Sequence, residues 1–183
     1  YNKKFELSQL KINLNSFLNQ EIYIKDIYRV DDEVHARFSA ISREYEYYIS
    51  LAKDVFSYKT SHFIQQDLNI EKMNQAISII KDYENFETFS KSKTDIKTYL
   101  CNIIACSLVE KENILIFRIK ANRFLRNMVR AIVGTILEVG LEKIPPEEIH
   151  SIIKSKDRSK AGPSMPSHAL FLTKIEYPSN IKL

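Results

Sequence analysis

Apolar residues recur along this chain with two different spacings, and the alternation between them predicts most of its elements. A weak helical pattern in Leu7, Leu10, Ile12 and Leu14 runs to about Leu18. Glu21 to Val30, rich in Ile and Tyr, is expected to be a strand, and Arg43 to Ser50 is a clearer one. Strict alternation puts Arg43, Tyr45, Tyr47 and Ile49 on one face of the latter and Glu44, Glu46 and Tyr48 on the other. Asn69 is placed to cap a helix running to about Asp82, with Ile70, Met73, Ile77 and Ile80 as its apolar face. Leu100 to Val109 and Ile114 to Ala121 form a predicted hairpin around Lys111-Glu112-Asn113, where Asn tolerates positive φ. A long helix is expected from Arg123 to Val139, ended by Gly140 as a left-handed cap. Pro145 and Pro146 then open a shorter helix through Ser155, with Ile149, Ile152 and Ile153 facing inward. A polar loop from Lys156 to Ser167 leads to a last strand, Ala169 to Tyr177.

From Arg43 onward the predicted order is strand, helix, strand, strand, helix, helix, strand. That is the split β-α-β pattern of ferredoxin-like or RRM-like α+β folds, with a largely antiparallel sheet and one extra helix. The Glu21 to Val30 segment would add an edge strand. Neither an internal repeat nor a low-complexity stretch interrupts the pattern, so one α/β domain is expected.

Composition narrows the function classes. With 44% hydrophobic and 27% charged residues, the 183-residue chain is ordinary globular protein. It contains no run of about 18 apolar residues, and Tyr1 to Glu6 lack the layout of a signal peptide, so a cytoplasmic location is expected. Cys101 and Cys106, five residues apart in one predicted strand, would point to opposite faces as buried thiols. His35, His62, His150 and His168 are scattered without metal-ligand spacing, and no metal site is expected. No glycine precedes Gly134, which excludes glycine-rich phosphate loops from the first 133 residues.

The net charge of +4 matters less than its placement. Arg118, Lys120, Arg123, Arg126 and Arg130 fall between Arg118 and Leu137 with no acid among them. On a helix from Arg123, the buried stripe would be Leu125, Met128, Val129, Ile132, Ile136 and Val139, with Arg123, Arg126, Asn127 and Arg130 opposite. Two readings fit: a solvated helix face, or an RNA-backbone track that Arg118 and Lys120 extend from the preceding strand. Tyr45 and Tyr47 are similarly open, as core aromatics or as a platform for an extruded base.

Three separated segments carry a family resemblance. His35-Ala36-Arg37-Phe38-Ser39-Ala40, with Arg43 and Tyr45-Glu46-Tyr47-Tyr48-Ile49, resembles the HARFSA…R-Y-x-Y-x-I segment of TruA-type tRNA pseudouridine synthases. Asn122 to Thr135 is similar to that family's N-x-F-L-x-x-M-V-R-x-I-V-G-T. Lys156-Asp157-Arg158 followed by Ala161 to Pro166 and Leu170-Phe171-Leu172 is similar to K-D-R…A-G-x-T-A-P-x-G-L-x-L, with Met165 and Ala169 departing from it. Weaker matches at Asn85 to Phe89 and Leu14 to Ile24 extend the similarity across nearly the whole chain.

The resemblance implies an isomerase that converts uridine to pseudouridine at positions 38 to 40 of the tRNA anticodon stem-loop, without cofactor, as a homodimer. By resemblance, Tyr45 packs against the target base and Arg130 pairs with the catalytic aspartate. Arg37, Arg118, Lys120, Arg123 and Arg126 are candidate phosphate contacts from charge pattern. The family's nucleophile lies in a G-R-T-D-x-G-V-H motif, whereas the glycines here are Gly134, Gly140 and Gly162. The chain is therefore expected to be a C-terminal portion, residues 1–20 being a remnant leading from a missing catalytic domain and 21–183 the C-terminal domain. It would be inactive alone. The rival expectation is a non-catalytic RNA-binding module on a ferredoxin-like sheet.

Overall fold

A computed structural model describes residues 6–91 and 97–183, so Tyr1 to Phe5 and Asp95 lie outside the described residues. The chain divides into two compact units, residues 1–39 with 177–183, and residues 40–176.

The smaller unit holds helix α1 (Leu7–Phe17). The Asn15 side chain brackets the Ile24 backbone, accepting from its N–H at 2.7 Å and donating to its carbonyl at 3.0 Å. Leu183 N–H donates to the Arg29 carbonyl and the Tyr177 hydroxyl to that of Ala36. Residues 21–30 form no strand. Their β-favouring composition is overridden because the main chain between Asn15 and Arg29 is held by these contacts rather than by a ladder.

The larger unit contains strand β1 (Ser42–Ser50), the two-residue β2 (His62–Phe63), helix α2 (Ile70–Lys81), strands β3 (Ile103–Lys111) and β4 (Ile114–Ala121), helices α3 (Met128–Gly140) and α4 (Glu148–Ser155), and β5 (Leu170–Glu176). Strand β1 is central, antiparallel to β4 on one side and to β5 on the other, while β3 pairs antiparallel to β4. The order β5-β1-β4-β3 with α2 and α3 as crossovers is the ferredoxin-like arrangement expected from the sequence. An edge strand is added, but it is β2, parallel to the end of β1.

The sheet's inner face and the helices make one core. Tyr47, Ile49, Leu115, Phe117, Ile119 and Ala121 meet Met73, Ile77 and Ile80 of α2 and Met128, Ile132 and Ile136 of α3, all buried. Fully burying each of the larger ones contributes roughly 1.5–3 kcal/mol. Asn69 caps α2 as expected, its side chain accepting from Lys72 N–H at 3.1 Å. Buried Thr88, within the Asn85 to Phe89 match, donates to the Ile152 and Ile153 carbonyls near the end of α4.

Five local expectations are corrected. Helix α3 starts at Met128 because Asn127 sits in the left-handed region at φ 71° and breaks the run from Arg123. Gly140 is an ordinary helical residue packed against Met73, whose Sδ would lie 2.6 Å from an added Cβ; the left-handed turn falls on Glu142. In the β3–β4 hairpin the positive φ belongs to Glu112, not Asn113. Cys101 and Cys106 are both buried in the core, since a register shift between Ile103 and Ala105 inserts a residue and reverses the alternation. Pro145 and Pro146 form the turn before α4, which begins at Glu148.

On the outer face, acids and bases pair across and along strands. Arg118 Nε donates to Glu46 at 2.7 Å, and Glu176 receives Lys120, Lys174 and Ser42. Among the described residues no helix is long and apolar enough to cross a membrane.

Two outcomes test this packing. Residues 161–166 cross α3 at Gly134, where an added Cβ would stand 1.9 Å from the Pro163 carbonyl oxygen. Gly134→Ala is expected to cost roughly 3 kcal/mol in urea denaturation, since backbone must move to admit the methyl. Hydrogen bonds from Lys120, Lys174 and Ser42 hold the Glu176 carboxyl down at about 2, from an ordinary 4.5. Its contribution is thus complete above the ordinary carboxylate value and is lost as pH falls toward about 2. Denaturation midpoints of wild type and Glu176→Gln should differ at neutral pH and converge on acidification.

Candidate active site

The informative end of the larger unit is where the inner face of β1, the segment before α3, the first turn of α3 and residues 161–166 converge. Tyr45 and Tyr47 share the inner face of β1, as alternation predicts. Tyr47 is fully buried and donates its hydroxyl proton to the Pro166 carbonyl at 3.0 Å. Burial raises its pKa, against the opposing influence of nearby Arg130, so the hydroxyl stays a donor. Tyr45 is half-buried, with Phe124 edge-on to its ring at 5.1 Å.

Asn122 fixes the approach to α3. It exchanges backbone and side-chain hydrogen bonds with Asn102, and its carbonyl accepts from Arg43 Nη1 at 2.7 Å. Asn127 then turns left-handed, donating its side-chain amide to Ser164 Oγ. The turn aims the chain into α3 so that Arg130 falls in the first helical turn, which contains no acid.

Residues 161–166 pin Arg130. Its Nε–H donates to the Met165 carbonyl, and its own carbonyl accepts from Met165 N–H at 3.2 Å. Among the described residues Arg130 forms no ion pair. The guanidinium is partly buried and sits at a helix N-terminus, whose aligned peptide dipoles add positive potential to its own. Such an end favours an anion; bidentate contact with a carboxylate is the natural use of the remaining guanidinium N–H groups.

The other candidate residues distribute unevenly. Arg123 and Arg126 flank Phe124 in the irregular segment, half-buried and exposed respectively, and do not share a helix face with Arg130. Arg118 and Lys120 lie on the outer sheet face, each in contact with a glutamate. Arg37 belongs to the smaller unit, exposed, its guanidinium 5.6 Å from the Phe38 ring centre.

Phe124, Arg158 and Ser164, to which sequence reasoning gave no role, complete the arrangement with Tyr47 and Asn127. All five contact the site's framework, and each lies inside one of the three matching segments. Arg158 donates to the Gly162 carbonyl at 3.1 Å and to Ser164 Oγ at 2.7 Å. The motif letters mark them, but only the folded chain shows what they touch.

Comparison with known proteins agrees with this picture. A family model described as tRNA pseudouridine synthase matches residues 82–178. The chain is similar to the tRNA pseudouridine synthase A of Parabacteroides distasonis, 43% identical over 176 residues that cover 96% of this chain and 70% of that protein. Against the enzyme of the same name from Porphyromonas gingivalis the identity is 42% over 180 residues, 97% of this chain and 71% of the relative. For that of Bacillus subtilis it is 36% over 166 residues, 90% and 67%.

Proposed function

The chain belongs to the tRNA pseudouridine synthase family, and on that premise we propose that it holds the target uridine and supplies the charge partner of the nucleophile in an enzyme acting on the anticodon stem-loop at positions 38 to 40. The observation that carries this reading is Arg130: anchored through Nε, unpaired with any acid among the described residues, and in the first turn of α3.

Isomerisation breaks the bond between uracil N1 and ribose C1′ and remakes it through C5, with one proton gained at N1 and one lost from C5. The base must leave its stack to be reached, and must be held while detached. Tyr45 serves as the aromatic wall for that base, next to Phe124. Arg130 keeps the attacking carboxylate ionised, because an adjacent cation favours the charged form of an acid. The G-R-T-D context expected for that carboxylate is absent from this sequence, so the nucleophile is assigned to residues outside the chain. The enzyme is further proposed to act in the cytoplasm, in keeping with the sequence pattern, and as a homodimer embracing one tRNA, which follows the family resemblance.

The phosphate contacts fall into two groups under this proposal. Arg118 and Lys120, already matched by Glu46 and Glu176, contribute little; Arg123 and Arg126 contribute most within the larger unit, and Arg37 is a further contact from the smaller.

In a complete enzyme carrying this chain, Arg130→Ala should lower pseudouridine formation, followed by carbodiimide labelling, by roughly 10²-fold or more while tRNA affinity holds within a few-fold. The chain alone should give no product in the same assay. Unchanged turnover in Arg130→Ala would remove Arg130 from the site. Arg123→Ala and Arg126→Ala should each weaken tRNA binding and flatten its salt dependence by about one unit of log–log slope per lost phosphate contact. Equal slopes for these variants and wild type would return those arginines to ordinary solvation.

A further inference from the structure

The third matching segment has no role in the chemistry so far, yet its residues form a continuous brace ending on Arg130. Lys156, at φ 54°, ends α4, and the Asp157 carboxylate accepts from Ser159 N–H at 2.9 Å to close a tight 3-10 turn over Arg158–Lys160. That turn presents Arg158 to residues 161–164. One guanidinium nitrogen donates to the carbonyls of Gly162 at 3.1 Å and Ala161 at 3.4 Å, and the other to Ser164 Oγ at 2.7 Å. Ser164 Oγ also receives the Asn127 amide, from the left-handed residue immediately before α3. The next two carbonyls, of Met165 and Pro166, take the Nε–H of Arg130 and the hydroxyl of Tyr47.

We propose that Arg158 is a positioning residue for Arg130: by gripping residues 161–164 it sets where the Met165 carbonyl stands, and thereby where the Arg130 guanidinium points. Among the described residues Arg158 pairs with no carboxylate. Its donors are spent on main-chain carbonyls and one hydroxyl, which is what a planar fork with several N–H groups does better than an ammonium. Without it, residues 161–164 keep the Gly162 N–H to Thr135 Oγ1 bond and the Asn127 tie but lose their connection to the end of α4. A displacement of about an ångström at Met165 is enough to matter, since a misplacement of that size in a catalytic array can cost roughly 10²-fold in rate.

The proposal rests on Arg130 being the partner of the nucleophile, and the test separates the two. In the complete enzyme at saturating tRNA, Arg158→Gln should lower kcat roughly 10- to 100-fold with KM changed less than about two-fold. The acid limb of its kcat–pH profile should move upward by about one unit, because a carboxylate whose cation is loosely held protonates more easily. Arg158→Lys should recover only part of both. Arg130→Gln is run alongside. If it leaves turnover and the acid limb unchanged, the pairing itself is wrong. If it shifts the limb and Arg158→Gln does not, only the positioning role is overturned, and a lowered melting temperature in Arg158→Gln with an unmoved limb marks Arg158 as purely structural. Should Arg158→Gln fail to fold, Ser164→Ala removes one acceptor of the grip and must show the same direction of change, more weakly, for the proposal to stand.

Discussion

The site depends on two main-chain segments lying closer together than side chains normally permit. A Cβ on Gly134 would meet the Pro163 carbonyl oxygen at 1.9 Å, and one on Gly162 would meet Thr135 N at 2.7 Å. Neither glycine has positive φ, so conformational freedom is not the reason for either. They are glycines because α3 and residues 161–166 touch backbone to backbone. Thr135 completes the contact, its hydroxyl accepting from Gly162 N–H while donating to the Ala131 carbonyl. This crossing brings the Met165 carbonyl to Arg130 and the Pro166 carbonyl to Tyr47. A tightly packed interior transmits small displacements rather than absorbing them, so the guanidinium inherits its position from a contact one turn further along its own helix.

Charge follows the same division between framework and site. On the outer sheet face Arg118 meets Glu46, and Lys120 and Lys174 meet Glu176. These part-buried pairs cancel the field that the strand cations would otherwise project. At the other end, Arg123, Arg126, Arg130 and Arg158 form no ion pair with any described carboxylate. A modest net charge of +4 therefore conceals a neutral face and a cationic one. A polyanion would respond to the second, because local potential rather than total charge attracts it.

How much of this was legible in the sequence depended on how local each cause was. Strand β1, the Asn69 cap and the inward Ile149, Ile152 and Ile153 of α4 were readable because alternation, capping and helical period act within a few residues. The start of α3 was misplaced because the apolar period continues through Leu125 while the break at Asn127 is secured by Ser164, thirty-seven residues away. Glu21 to Val30 has the composition of a strand but is held by Asn15. The cysteine faces were inverted by one inserted residue in β3, which no local periodicity announces. Of the site, the family motifs pointed to Tyr45 and Arg130. That Arg118 and Lys120 face glutamates from β1 and β5 depends on strand register, which only the paired sheet fixes.

The choice of arginine at position 130 follows from the same geometry. Its Nε–H is committed to the Met165 carbonyl, so the plane of the guanidinium is set before any carboxylate arrives. The remaining N–H groups lie in that plane as a fork, matched to the two oxygens of a carboxylate. A lysine offers one nitrogen, which cannot both anchor on a carbonyl and face an acid in a fixed plane. Charge alone would be satisfied by either residue; orientation would not. The requirement placed on position 130 is thus two-fold, a cation and a rigid direction, and the second is met by main-chain atoms of Met165 rather than by any residue the charge pattern picks out.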